Sequence, residues 1–215
     1  MTMVKQDKSA YVWDPIVRFG HWALVAAFVI AYLSGEEESG DASQLHIWSG
    51  YAIGAIVAVR ALWGLIGAGH ARFSDFAYGP VAGLRYLGDL LLGHARRYIG
   101  HSPAGAVMVF ALLLSLAGTV GTGLMANSGG GKQPAGNAGG AVIARALGEE
   151  NEHRESRTGG EGAESAIGEL HAALANITLG LIILHVLGVG LASVAHRENL
   201  ALSMITGRKR PANES

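Results

Sequence analysis

Apolar positions in this chain gather into four long runs, at residues 16–35, 46–67, 104–125 and 170–195. Crossing a hydrocarbon core of ~30 Å takes about 20 mostly apolar helical residues, and every run is long enough. Inside them the clear charges are Arg18, close to one end of the first run, and Arg60 in the second. A soluble core could supply one such run, but hardly four in 215 residues. The pattern therefore predicts an all-α fold, an integral membrane four-helix bundle forming a single domain over residues 1–215. The first run begins too late and lacks the small-residue cleavage site of a signal peptide, so none is expected.

Punctuation fits those limits. Asp14-Pro15 and Ser102-Pro103 each place a capping side chain before a proline at the first helical position. Gly35 and Gly67 fall where the first two helices should stop. Between the second and third runs, Val81, Leu84, Leu87 and Leu91 recur at helical spacing. They suit a short helix lying on the membrane surface, with packing inside the loop as the alternative. Residues 127–166 are rich in Gly and polar side chains and read as a flexible loop.

Composition sharpens this picture. Half of the residues are hydrophobic and 15% are charged, against roughly 25% charged in soluble domains. The absence of cysteine excludes disulfides, zinc thiolates and iron–sulfur ligation. The net charge of −1 hides a strong polarity. Eleven Lys and Arg against six Asp and Glu lie in the termini and the second loop, whereas the first and third loops carry four against eleven. Counting basic residues near the spans places both termini in the cytoplasm and the acidic loops on the opposite, periplasmic face. The membrane lipid is thus one partner, and no nucleic-acid partner is expected.

Nine histidines carry the chemistry. An imidazole at membrane depth is a functional candidate, the alternative being a hydrogen bond to a neighbouring helix. His171 and His185 are 14 residues apart, about 21 Å along a helix and about 40° short of whole turns, so they share a face at two depths. His46 opens the second span at the depth of His171, and His21 sits in the first at the depth of His185. Two stacked pairs result, His46 with His171 and His21 with His185. Paired imidazoles without thiols or carboxylates suit axial ligation of haem iron better than zinc or a di-metal carboxylate site. Copper or zinc sites built from histidine alone stay open.

Other residues bear on the same site. Gly50 and Gly54 follow His46 on its helix face, making room for a planar cofactor or for close helix packing. Arg60 is 14 residues beyond His46, placed either to hold a haem propionate or to snorkel to the interface. Trp22, Trp48 and Trp63 mark the interfacial belts. His196 shares the face of His185 but adjoins Arg197 and Glu198 at a hydrated end, so His185 is favoured as the partner of His21. His70, His94, His101 and His153 read as ordinary surface histidines.

The segments VWDPIVRFGHW, LHIWSGY, VRALWG, LHAALANITLGLIILHVLGV and HRENLALSMITGRKR resemble the bacterial di-haem cytochrome b family. That family includes the bacterial cytochrome b561 type and the cytochrome b subunit of nickel–iron hydrogenases. The resemblance spans nearly the whole chain apart from the Gly/Glu-rich third loop. It implies two b-type haems with ligands at His21, His46, His171 and His185, and leaves His196 out. The expected function is transmembrane electron transfer between the quinone pool, as quinol or quinone, and a periplasmic redox protein such as a c-type cytochrome or a hydrogenase. No catalytic residue is assigned, and whether the protein is an enzyme stays open. Two other readings remain: a stand-alone oxidoreductase acting on superoxide or another small acceptor, and a non-redox scaffold subunit.

Overall fold

A computed structural model describes residues 10–35, 43–67, 71–98, 100–129 and 152–209. Four long helices are α1 (Pro15–Leu33), α2 (Gln44–Ile66), α4 (Pro103–Gly129) and α5 (Glu152–Ala195); α3 (Pro80–Leu91) and α6 (Leu200–Thr206) are short. Each long helix contains a stretch long and apolar enough to cross a membrane: Pro15–Leu33, Gln44–Ile66, Pro103–Ser128 and Ala166–Ala195. The chain is therefore a helical membrane bundle. Extended structure among the described residues is confined to β1 (Ala10–Tyr11), which pairs antiparallel with β2 (Arg208–Lys209).

The helix starts follow the capping residues. The Ile16 amide donates to Asp14 Oδ1 at 2.8 Å, and the His46 amide donates to Ser43 Oγ at 3.1 Å. The Gly105 amide donates to Ser102 Oγ at 3.2 Å and the Leu202 amide to Asn199 Oδ1 at 2.8 Å. Each satisfies an amide that the first helical turn leaves without a partner. One boundary departs from expectation. Helix α5 begins at Glu152 rather than at residue 170, and α4 runs on to Gly129, so both ends of the expected 127–166 loop are helical. Both helices thus run past the apolar stretches, which mark only the part suited to cross a membrane. Residues 130–151 lie outside the described residues.

Packing runs α1 on α2, α2 on α4 and α4 on α5, with α3 against α4. A core of Phe28, Ala31, Ile53 and Leu116, flanked by Leu24, Val57, Val120 and Ile182, takes side chains from all four long helices. Outward-facing side chains are equally apolar: Leu33 and Val194 are each 78% exposed. In water such a surface would be an aggregation hazard; facing lipid, it costs nothing.

A polar cap closes the end where α1 and α4 begin and α5 finishes. Arg97 grips Glu198 through Nε and Nη2, at 3.2 and 2.9 Å from Oε2. Glu198 reaches this position because Arg197 adopts a left-handed conformation (φ 49°). The Arg197 and Glu198 amides then donate to Val194 and Ser193 carbonyls at 3.2 and 3.0 Å, closing α5 with a Schellman turn. Lys209 lies 5.0 Å above the Trp13 ring. The paired strands and this cap bring Ala10 and Lys209 to one side of the bundle.

Helix α3 presents Gly83, Tyr86 and Leu90 inward, and a Cβ on Gly83 would lie 2.9 Å from Val107 Cγ2 on α4. Its other face leaves Val81, Leu84 and Leu91 68–73% exposed. The apolar residues picked out by spacing are thus the outward ones, beside the first turn of a membrane span.

Candidate functional site

His46 stands in the first turn of α2, whose geometry Ser43 fixes, and faces His171 on α5. Their ring centres are 5.8 Å apart, with planes 82° apart. His46 Nδ1 lies 2.8 Å from the Ala31 carbonyl oxygen on α1. His171 Nδ1 lies 2.9 Å from the Thr119 carbonyl oxygen and 3.3 Å from Thr122 Oγ1, both on α4. A carbonyl oxygen only accepts, so in each ring Nδ1 carries the proton. Each Nε2 is left with a lone pair free to bind a metal.

Local structure makes both contacts available. Ala31 belongs to the last turn of α1, where carbonyls lack helical donors. The His171 ring comes close to α4 because Gly123 has no side chain; a Cβ there would lie 3.0 Å from His171 Cε1.

His21 and His185 form the second pair, with ring centres 6.3 Å apart and planes 65° apart. Among the described residues neither ring makes a hydrogen bond. His21 instead meets the Trp22 ring edge-on at 5.4 Å. One turn earlier, Arg18 Nη2 donates to the Ile205 carbonyl. The shared core of the bundle fills the interval between the pairs, about 21 Å along α5 for the 14 residues from His171 to His185.

Both pairs fit a metal held between two rings. Two imidazoles whose nitrogens each sit about 2 Å from one ion have ring centres roughly 6 Å apart. Among the described residues, no three or more His, Cys, Asp or Glu come together. The donor sets are pairs, which suits the two axial positions of a haem iron and falls short of a tetrahedral zinc site.

The other sequence candidates separate. Beside Gly50 there is open space, whereas a Cβ on Gly54 would lie 3.0 Å from Val120 Cγ1, so Gly54 serves close packing with α4. Arg60 donates through Nη1 to the Ala71 carbonyl at 3.3 Å and lies 4.9 Å from the centre of the Phe73 ring. His196 stands apart from His21, its Nε2 3.1 Å from Tyr86 Oη on α3. His94 is exposed. His101 is no ordinary surface histidine: it stacks on Phe76 at 4.0 Å and meets Trp13 edge-on at 4.9 Å, because the start of α4 folds it into an aromatic cluster. His70 lies outside the described residues, as does the side chain of His153.

Sequence reasoning missed Thr119, Thr122 and Gly123. Their spacing on one face of an otherwise apolar span was the available signal. The carbonyls of Ala31 and Thr119 leave no mark in a sequence, since every residue has one.

Four membrane-spanning helices thus carry two pairs of imidazoles that face each other across the bundle. Residues 12–207 match the family model described as prokaryotic cytochrome b561, and the chain belongs to that family. No curated protein and no solved structure matches it. Membership brings b-type haem as the cofactor and electron transfer across a membrane as the function.

Proposed function

We propose that the protein holds two b-type haems across the membrane, one between His46 and His171 and one between His21 and His185. In this reading it passes electrons between the quinone pool and a periplasmic redox protein. The observation that carries it is the separation of the ring centres, 5.8 and 6.3 Å, near the spacing that two imidazoles on one ion require. A bound haem supplies one-electron exchange at its iron. The chain's own part is to present Nε2 lone pairs at two depths and to exclude water with apolar helices. Gly50 leaves room beside the first pair. Arg60, whose guanidinium meets the Ala71 carbonyl and the Phe73 ring, would be the residue to hold a propionate at the second pair.

Both termini and α3 face the cytoplasm in this reading, supported by the basic residues near those segments. The periplasmic face is then acidic, and suits a basic partner such as a c-type cytochrome; a hydrogenase is the other candidate. Purified protein reduced with dithionite should show haem b absorption, with two haems per chain by pyridine haemochrome. A count of one or none overturns the proposal. Electron transfer with a basic c-type cytochrome should slow as salt rises, and a rate indifferent to ionic strength removes the docking part.

A further inference from the structure

The two histidine pairs are built alike but supported differently. In one, both Nδ1–H groups donate to main-chain carbonyls, His46 to Ala31 at 2.8 Å and His171 to Thr119 at 2.9 Å. The Thr122 hydroxyl adds a second acceptor to His171 at 3.3 Å. Its own proton is engaged by the carbonyls of Gly118 and Thr119, at 2.9 and 3.0 Å, so its oxygen is turned to accept. In the other pair, neither His21 nor His185 has a hydrogen bond among the described residues.

Hydrogen bonding at Nδ1 increases the electron-donating strength of the opposite nitrogen. A stronger donor favours ferric iron, which carries one more positive charge than ferrous iron, and so lowers the reduction potential. The charges inside the described spans act in the same sense. Arg18 and Arg60 stand at the His21/His185 end, where positive charge favours the reduced state. Glu169, exposed and therefore weakly coupled, is two residues from His171.

Resting on the two-haem reading, we infer that hydrogen bonding from His46 and His171 gives the haem between them the lower reduction potential. Thr122 is a positioning residue that strengthens the effect at His171. His21 and His185, whose rings have no hydrogen bond among the described residues, would then hold the haem that is more readily reduced.

The test is an optical redox titration of the full-length protein in detergent, fitted as two components. His171→Ala should abolish the lower-potential component and His185→Ala the higher. Thr122→Val keeps the size of the side chain but removes the acceptor. It should move the lower component upward and leave the other in place, while Thr122→Ser should restore the original value. Loss of the higher component in His171→Ala overturns the ordering, and an unmoved lower component in Thr122→Val overturns the role of Thr122. If Thr122→Val does not assemble, the two alanine variants still decide the ordering. A wild-type count below two haems would instead defeat the two-haem reading. Two haems in the reverse order would leave that reading standing and sink this inference alone.

Discussion

His46 Nδ1 lies 2.8 Å from the carbonyl oxygen of Ala31, in the last turn of the neighbouring helix. One contact thereby fills an acceptor at the open end of α1, fixes which ring nitrogen carries the proton, and leaves the other with its lone pair. His171 is held in the same way by the Thr119 carbonyl. The two rings that face each other across the bundle are oriented by backbone from α1 and α4.

Single alanine substitutions should therefore sort into three groups. His46→Ala and His171→Ala should lose one and the same haem, His21→Ala and His185→Ala the other, each halving the pyridine haemochrome count. His196→Ala should keep both, because its imidazole is engaged with Tyr86. Retention of both haems in His185→Ala would move the second site to His196.

Gly123 should be far less replaceable than its neighbour Gly121. A Cβ at Gly123 would approach His171 Cε1 to 3.0 Å and Nδ1 to 3.2 Å, whereas one at Gly121 meets nothing within 4 Å. Gly123→Ala should displace the ring from Thr119 and reduce occupancy of that haem alone. Gly121→Ala should give the wild-type spectrum and haem count, and equal losses in both variants would refute the close-approach argument.

These cases show what sequence could and could not reveal. Run length identified the four spans, because a bilayer imposes one length on any helix that crosses it. Helical periodicity paired the histidines, since His171 and His185 recur on one face and each partner's depth follows from the direction of its span. The supporting contacts escaped that logic, since they depend on where Ala31 and Thr119 expose carbonyl oxygens after the helices pack. His101 escaped for a related reason: its aromatic neighbours Trp13, Phe76 and Phe110 come from distant segments. The start of α5 was hidden because apolar content ends before the helix does.

The exposed stripe of α3 should lie in lipid. Val81, Leu84 and Leu91 face outward beside the first turn of α4, while Asp89 stands on the polar side. The chain contains no cysteine, so a single introduced one reports alone. In vesicles, Leu84→Cys should resist a water-soluble maleimide and Asp89→Cys should react readily. Equal, fast labelling would place α3 in water.

Arg97 and Glu198 should show the asymmetry of a buried ion pair. Their side chains are 17% and 8% exposed and 2.9 Å apart. Removing one partner leaves the other charge poorly solvated, so Glu198→Gln or Arg97→Met should each cost on the order of 3 kcal/mol. Replacing both together with apolar residues of similar size should cost much less, since the desolvation of two charges is relieved as their attraction is lost. Denaturant titrations of the two single variants and the double variant measure this directly, and additive losses would contradict it.

His196 should make stability fall with acidity. Burial holds its pKa below the ordinary histidine value, and the nearby positive charges of Arg97 and Lys209 act in the same direction, opposed by Glu198. Tyr86 Oη faces its Nε2 from α3. With a lowered folded-state pKa, the unfolded chain takes up a proton at higher pH than the folded one does. The contribution of His196 is therefore fully present above an unfolded value of about 6.5 and is lost as pH falls through the lowered folded value. His196→Gln keeps a polar partner for Tyr86 and cannot titrate. The wild-type thermal midpoint should drop more steeply than that of the variant on going from pH 7 into the acid range, and the two should run parallel above it. Parallel curves throughout the acid range would show that His196 keeps its ordinary proton affinity in the folded cap.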